Sequence, residues 1–279
     1  MERSVLLDID GVLTVSWRPL PGAVETIQWL KREDVDFRLV TNTSSKSRRQ
    51  IAALLAGAGM EVDASKIQTA VTSAARHIVE NYPGEGCLVV NEGDLEEDLH
   101  GVDLVDARSA GVVLLGGAGP STGYLELDAA FKLAVGGKPI VALHRNTRFQ
   151  TEHGPALDMG AFIVGLDAAA GVEIPIVGKP APAFFNAALA ALGSSPADTV
   201  MVGDDITSDV LGAQAVGITG VLVRTGKFRP ADLLGSDGRP DHVLDGIGQL
   251  PALLGSRVPR EAHPNRRRPT PERLAQPSE

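Results

Sequence analysis

Val5-Leu6-Leu7-Asp8-Ile9-Asp10-Gly11-Val12-Leu13-Thr14 is the stretch whose reading decides the fold. Val5-Leu6-Leu7 is an unbroken apolar run, the pattern of a strand buried on both faces. It stops at two carboxylates and at Gly11, which permits a sharp turn. Residues i and i+2 of an extended chain project to the same side, so Asp8 and Asp10 share the mouth of this strand. Two carboxylates placed in this way repel unless a cation or a proton sits between them. Magnesium suits such a site, because it takes oxygen ligands and usually keeps waters and a substrate phosphate. One carboxylate can then bind metal and attack phosphorus while the other transfers protons. Taken alone, Asp-x-Asp-Gly fits a solvated turn equally well.

The same arrangement recurs three times. Phe37-Arg38-Leu39-Val40 reads as a strand ending in Thr41-Asn42-Thr43. A hydroxyl and backbone N–H groups there can hold phosphate oxygens, with the next helix N-terminus adding positive potential. Capping of that helix by Thr43, Ser44 or Ser45 is the competing use. Ile174-Pro175-Ile176-Val177 leads to Gly178-Lys179-Pro180, where Lys179 is either a cation for a phosphoryl group or an ordinary surface lysine. Thr199-Val200-Met201-Val202 stops at Gly203-Asp204-Asp205, with Asp209 downstream. One of these carboxylates can complete a magnesium shell and another can orient its waters. N-capping by Asp205 or Ser208 would need no metal. Each cluster is weak by itself. Four of them supply a nucleophile, a proton-transfer acid, a phosphate clamp, a cation and a metal ligand, which are the parts of phosphoryl transfer.

Between these runs the apolar spacing predicts helices over 22–32, 47–56, 183–192 and 208–216, with a further strand at 220–223. Alternating strands and helices predict an α/β fold with a parallel sheet covered on both faces. In such sheets, function gathers beyond the carboxyl ends of the strands. The middle has its own rhythm, with strands expected at 87–90, 111–115 and 140–143 and helices at 70–80, 124–135 and 159–170. It reads as a second α/β module inserted into the first. The expected organisation is a Rossmann-like core from 1–45 and 178–255, an inserted α/β unit over 46–177, and a tail over 256–279.

The net charge of -9 argues against a nucleic-acid or anionic-membrane surface as the main role. The tail departs from this balance. It holds six Arg and three Glu, is rich in Pro and lacks apolar periodicity, so disorder is expected there. No apolar run is long enough for a membrane span. The single cysteine, Cys87, lies in an apolar run and reads as a buried thiol. Met1-Glu2-Arg3-Ser4 carries no signal-peptide pattern, and a cytoplasmic location is the consistent expectation.

The ordered set Asp8-Ile9-Asp10-Gly11-Val12-Leu13-Thr14, Thr41-Asn42, Gly178-Lys179-Pro180 and Gly203-Asp204-Asp205 with Asp209 resembles the haloacid dehalogenase superfamily. The long insert is similar to its capped subclass IIA, the NagD-like group. Within that group, Thr41-Asn42-Thr43-Ser44 and the later motifs most resemble the phospholysine phosphohistidine inorganic pyrophosphate phosphatase branch. The resemblance implies that Asp8 attacks phosphorus and forms an aspartyl-phosphate. Asp10 would protonate the leaving group and then activate water. Thr41 and Asn42 would grip the phosphoryl group, and Lys179 would balance charge. It also implies Mg2+ held by the Asp8 carboxylate, the Asp10 backbone carbonyl and the Asp204 carboxylate, with Asp205 or Asp209 in support.

Asn146 and Asp158 lie in the part of the insert that faces the site in relatives, which makes them candidates for substrate choice. Their alternative use is to cap a turn and a helix. A cap over the site would exclude bulky polymers, so the implied partner is a small phosphorylated metabolite. Capped relatives often dimerise, so a homodimer is a further expectation. A phosphomutase and a non-enzymatic phospho-aspartate switch are the alternative functions.

Overall fold

The central strand β1 (Ser4–Leu7) is buried along its whole length, and its side chains alternate between two hydrophobic layers. Val5 and Leu7 join one core cluster, while Leu6 joins another with Val40, Met201, Phe184 and Phe185. This is why the strand reads as a continuous apolar run and not as an alternating one. A computed structural model of the protein describes residues 4–151, 154–235 and 238–255. The Arg/Pro-rich tail, 256–279, lies outside the described residues.

After β1 the chain makes a small hairpin of β2 (Thr14–Val15) and β3 (Arg18–Pro19), then α1 (Ala23–Arg32), β4 (Phe37–Thr41), α2 (Arg48–Gly57) and β5 (Ile67–Thr69). An insert follows, comprising α3 (Ala70–Asn81), β6 (Cys87–Val90), β7 (Val112–Leu115), α4 (Tyr124–Val135), β8 (Ile140–Ala142), β9 (Arg148–Thr151), β10 (Gly154–Leu157) and α5 (Met159–Ala170). The chain then returns through α6 (Pro182–Leu192), β11 (Thr199–Gly203), a π-helical segment (Ile206–Leu211), α7 (Gly212–Ala215), β12 (Thr219–Val223), α8 (Asp232–Gly235), β13 (His242–Leu244) and α9 (Leu250–Gly255).

The larger sheet has six strands in the order β13-β12-β11-β1-β4-β5, and all its pairings are parallel. α1 and α2 cover one face through Ile27, Leu30, Ile51 and Leu55, and α6 covers the other through Phe184, Phe185 and Ala188. The chain first builds outward from β1 to β4 and β5, then restarts on the opposite side with β11. The strand order therefore reverses beside β1, and a crevice opens there at the carboxyl ends.

The insert forms a three-stranded parallel sheet, β6-β7-β8. Val112 and Leu114 pack with α3 on one side, and Val113 and Leu115 pack with α4 and α5 on the other. Two expectations change here. β5 pairs with β4 in the larger sheet, and α2 packs on it, so the insert begins near residue 70 and not at 46. Helix and strand periodicity are alike in both units, and only the long-range pairing of Leu39 with Ile67 assigns this segment. The run at 174–177 is not a strand of the larger sheet. Ile176 bridges to Ala142 at the edge of the smaller one. Cys87 is buried, as its sequence context suggests. Among the described residues, no helix is long and apolar enough to cross a membrane.

Candidate active site

Asp8 follows the last residue of β1, and its N–H extends the ladder by donating to the Val202 carbonyl at 3.0 Å. Its carboxylate is buried and faces Lys179 at 2.6 Å. Lys179 also pairs with Asp209 at 2.7 Å, so one buried ammonium joins two carboxylates drawn from opposite ends of the sequence. Burial alone would lower the Lys179 pKa, but Asp209 and Asp8 outweigh it and hold the ammonium above its ordinary range.

Lys179 arrives from the segment that leaves the insert, and Asn42 fixes it there. The Asn42 side chain donates to the Lys179 carbonyl at 2.9 Å and accepts from the Lys179 N–H at 2.9 Å. Both ends of this amide are committed to the backbone of residue 179. Asn42 was expected to grip a phosphoryl group; its side chain is engaged in positioning the lysine. Thr41 ends β4, beside β1, with its hydroxyl accepting from the Thr43 N–H at 3.0 Å. The competing use of this cluster as a helix cap falls elsewhere. Ser47 caps α2 in a reciprocal arrangement with Gln50, so 41–45 stay at the sheet edge.

Asp204 follows β11, and Asp209 lies on the π-helical segment. Such a turn is rare and frequent at functional sites. It brings Asp209 back over Gly203, where the carboxylate accepts from the Asp205 N–H at 3.2 Å. Asp205 takes the capping role, accepting from the Thr207 and Ser208 N–H groups at 3.0 Å each. The expected single helix over 208–216 is therefore a π-helical turn followed by a short α-helix.

Oxygens of Asp8, Asp204 and Asp209 lie within 4.8 Å of one another. The Asp10 carboxylate is not part of this triad, and Asp209, expected only in support, supplies its third member. Asp204 Oδ2 accepts from the Lys227 N–H, whereas Asp204 Oδ1 is buried without a hydrogen-bond partner. A buried carboxylate oxygen with no donor is costly unless a cation satisfies it. An all-oxygen donor set of this charge fits magnesium. Burial raises the Asp204 pKa, and Asp8 and Asp209 raise it further. Burial also raises Asp209, against the pull of Lys179. Asp10 keeps contact with solvent at the rim of the crevice. The protein around it still raises its pKa by desolvation, with Lys227 and Lys179 pulling the other way.

Asp158 takes a structural role, whereas for Asn146 the contact seen is one of its backbone. Asp158 caps α5 by accepting from Met159 N–H at 2.8 Å and also accepts from Ala118 N–H at 3.1 Å. Asn146 N–H donates to His144 Nδ1 at 3.3 Å, within the turn before β9. Two charged or titratable residues escaped the sequence reading. His144 is buried, with Nε2 3.9 Å from Asp158. Lys227 faces the acidic cluster from beyond β12. His144 directly follows the apolar run ending at Leu143, the same signal that marked the other four clusters, whereas Lys227 lies four residues beyond the end of β12.

Two family models match the chain. The one described as haloacid dehalogenase-like hydrolase covers residues 5–105, and the one described as HAD-hydrolase-like covers 176–250. Phospholysine phosphohistidine inorganic pyrophosphate phosphatase of Rattus norvegicus is 34% identical over 258 residues, spanning 90% of this chain and 94% of that protein. Haloacid dehalogenase-like hydrolase domain-containing protein 2 of Bos taurus is 36% identical over 230 residues, spanning 82% and 87%. Among solved structures, p-nitrophenyl phosphatase from Archaeoglobus fulgidus superposes with a TM-score of 0.85 at 29% identity, covering 91% of this chain and 99% of that one. NagD from E. coli K-12 superposes with a TM-score of 0.80 at 26% identity, covering 88% and 97%. The chain belongs to the haloacid dehalogenase-like hydrolase family, in its NagD-like IIA group, and is a phosphatase.

Proposed function

We propose that this phosphatase is magnesium-dependent and hydrolyses a small phosphorylated substrate through an aspartyl-phosphate on Asp8. The observation that carries the reading is the convergence of Asp8, Lys179, Asp204 and Asp209 in one buried cluster at the carboxyl end of the central strand. Asp8, the Asp10 backbone carbonyl and Asp204 would hold magnesium, which would supply positive charge to balance the phosphoryl group and the attacking carboxylate.

The chain's own residues account for the remaining steps. Lys179 neutralises Asp8 so that an anionic phosphoryl group can approach it. An Asp8 oxygen attacks phosphorus, the bond from phosphorus to the leaving oxygen breaks, and the Asp10 proton passes to that oxygen. The raised Asp10 pKa suits a group that holds a proton before transfer. Asp10, now ionised, takes a proton from water as the water attacks phosphorus. The Asp8–phosphorus bond then breaks, returning a free carboxylate and inorganic phosphate. Thr41 supports the phosphoryl group from the adjoining strand end, and Asn42 keeps Lys179 in register.

The names of the relatives point to phosphoramide, pyrophosphate and aryl phosphate substrates, and the insert would close over the crevice as a cap that admits small molecules. A cytoplasmic location accords with the single buried thiol. The test is phosphate release from p-nitrophenyl phosphate with Mg2+. Asp8→Asn is expected to abolish it, and Asp10→Asn to lower it about 10²- to 10⁴-fold. Retained turnover in Asp8→Asn would refute the assignment of the nucleophile.

A further inference from the structure

After β12 the chain turns back over the loop that carries Asp8 and Asp10. Three contacts lock this return. The Thr225 hydroxyl donates to the Gly11 carbonyl at 2.6 Å. Gly226 adopts a φ of 61°, and a side chain there would run into Asp204 Oδ2 and the Gly11 Cα. The Lys227 N–H donates to Asp204 Oδ2 at 2.6 Å. None of these contacts uses the Lys227 side chain, which therefore extends from a fixed base whatever it carries at its tip.

The charge at that tip has a specific setting. Lys227 is exposed at the rim, whereas Lys179 is buried and committed to Asp8 and Asp209. The Lys227 ammonium acts on the buried Asp8, Asp204 and Asp209. It also acts on Asp10, more strongly than Lys179 does, and on His144 of the insert. The Lys227 backbone is fixed against Asp204 and against the loop that carries Asp10, so its exposed side chain is anchored in the space beside the carboxylate placed to protonate the leaving group. A leaving group must occupy that space. Asp8, Asp204 and Asp209 face a single buried lysine, and magnesium in the crevice would only bring these charges to neutrality. Among the described residues, a second negative charge on the substrate therefore finds a counter-charge there only in Lys227.

We infer that Lys227 is a specificity-determining residue that holds a second anionic group of the substrate, on the leaving-group side of the transferred phosphoryl group. The inference rests on the Asp8 phosphatase reading for the direction of the leaving group. It makes the loop Thr225-Gly226-Lys227 serve two purposes: its backbone aims Asp204, and its side chain selects substrate.

The test is a calorimetric binding comparison in the presence of Mg2+, using orthophosphate, which fills only the transferred position, and imidodiphosphate, which adds a second anionic group. Lys227→Met is expected to weaken imidodiphosphate binding about ten- to hundredfold, the worth of a charge-assisted contact, with orthophosphate changed by less than about threefold. Lys227→Arg should restore much of the difference. Mg2+ affinity should be unchanged in both variants, because the N–H to Asp204 remains. Equal weakening of both ligands, or undiminished imidodiphosphate binding, would overturn the assignment, as would wild-type protein with no preference for imidodiphosphate. Binding needs no turnover, so these outcomes are separate from loss of activity in Asp8→Asn.

Discussion

Replacing Lys179 with Met tests the electrostatic logic of the crevice through stability alone. Met fills similar space without charge. The change leaves Asp8 and Asp209, both buried, without the ammonium that lies 2.6 Å from one and 2.7 Å from the other. Removing one partner of a buried ion pair costs about 3–5 kcal/mol. For a chain of this size each kcal/mol shifts Tm by about 2–4 °C, so Tm should fall by about 6–20 °C. The sign of the pH dependence follows from the directions of shift. The folded Lys179 pKa lies above its ordinary value of 10.5, so its stabilisation is fully present below that value and is lost only as pH rises through the folded pKa. Lys179 is therefore charged in wild type at both pH 5.5 and pH 8. In the variant Asp209, whose pKa burial already raises, can take up a proton as pH falls, so the deficit should be smaller at pH 5.5 than at pH 8. Thermal unfolding followed by circular dichroism, without metal, measures both. A Tm at pH 8 within about 2 °C of wild type would refute the reasoning, since it would mean the buried carboxylates need no cation.

Magnesium should stabilise the protein more at pH 8 than at pH 5.5. Folded Asp204 and Asp209 have pKa values above the ordinary 3.8, so they hold protons that a metal must displace, and their contribution to apo stability falls as pH rises through that window. An equal or larger gain in Tm at pH 5.5 would contradict this. Asn42→Ala removes both bonds to the Lys179 backbone. It should lower kcat about tenfold with KM within about threefold, because the lysine loses its aim while the rest of the crevice stays. A pure KM effect, measured by steady-state kinetics, would instead return Asn42 to direct phosphate contact.

Much of the fold was legible because burial on both faces writes itself into composition. Val5-Leu6-Leu7, Phe37-Arg38-Leu39-Val40 and Thr199-Val200-Met201-Val202 are each bounded by turn and polar residues, so strand ends and candidate chemistry appear together. What was not legible depends on partners distant in sequence. β5 is Ile67-Gln68-Thr69, too short to declare its sheet, and its membership rests on pairing with β4. The hairpin of β9 and β10 contains Pro155, which argues against a strand by itself and is tolerated in an isolated two-stranded pair. Asn42 sits where a phosphate clamp would sit, but its role depends on where residue 179 lies 137 positions later. Lys227 was overlooked because nothing in Thr225-Gly226-Lys227 marks it until the loop is seen folded over Gly11. Asp158 shows the opposite case, where a functional suspicion resolved into a helix cap.

The account depends on phosphorus becoming bonded to Asp8. Wild-type protein mixed with substrate and Mg2+, quenched in acid within the turnover time and digested with trypsin, should carry one phosphoryl group on the peptide spanning 4–31, which contains Asp8 and Asp10, because trypsin does not cut between Arg18 and Pro19. Fragmentation should place it on Asp8, and Asp10→Asn should accumulate more of it than wild type. A peptide free of phosphate at every quench time in Asp10→Asn, while substrate is still being consumed, would contradict the covalent route.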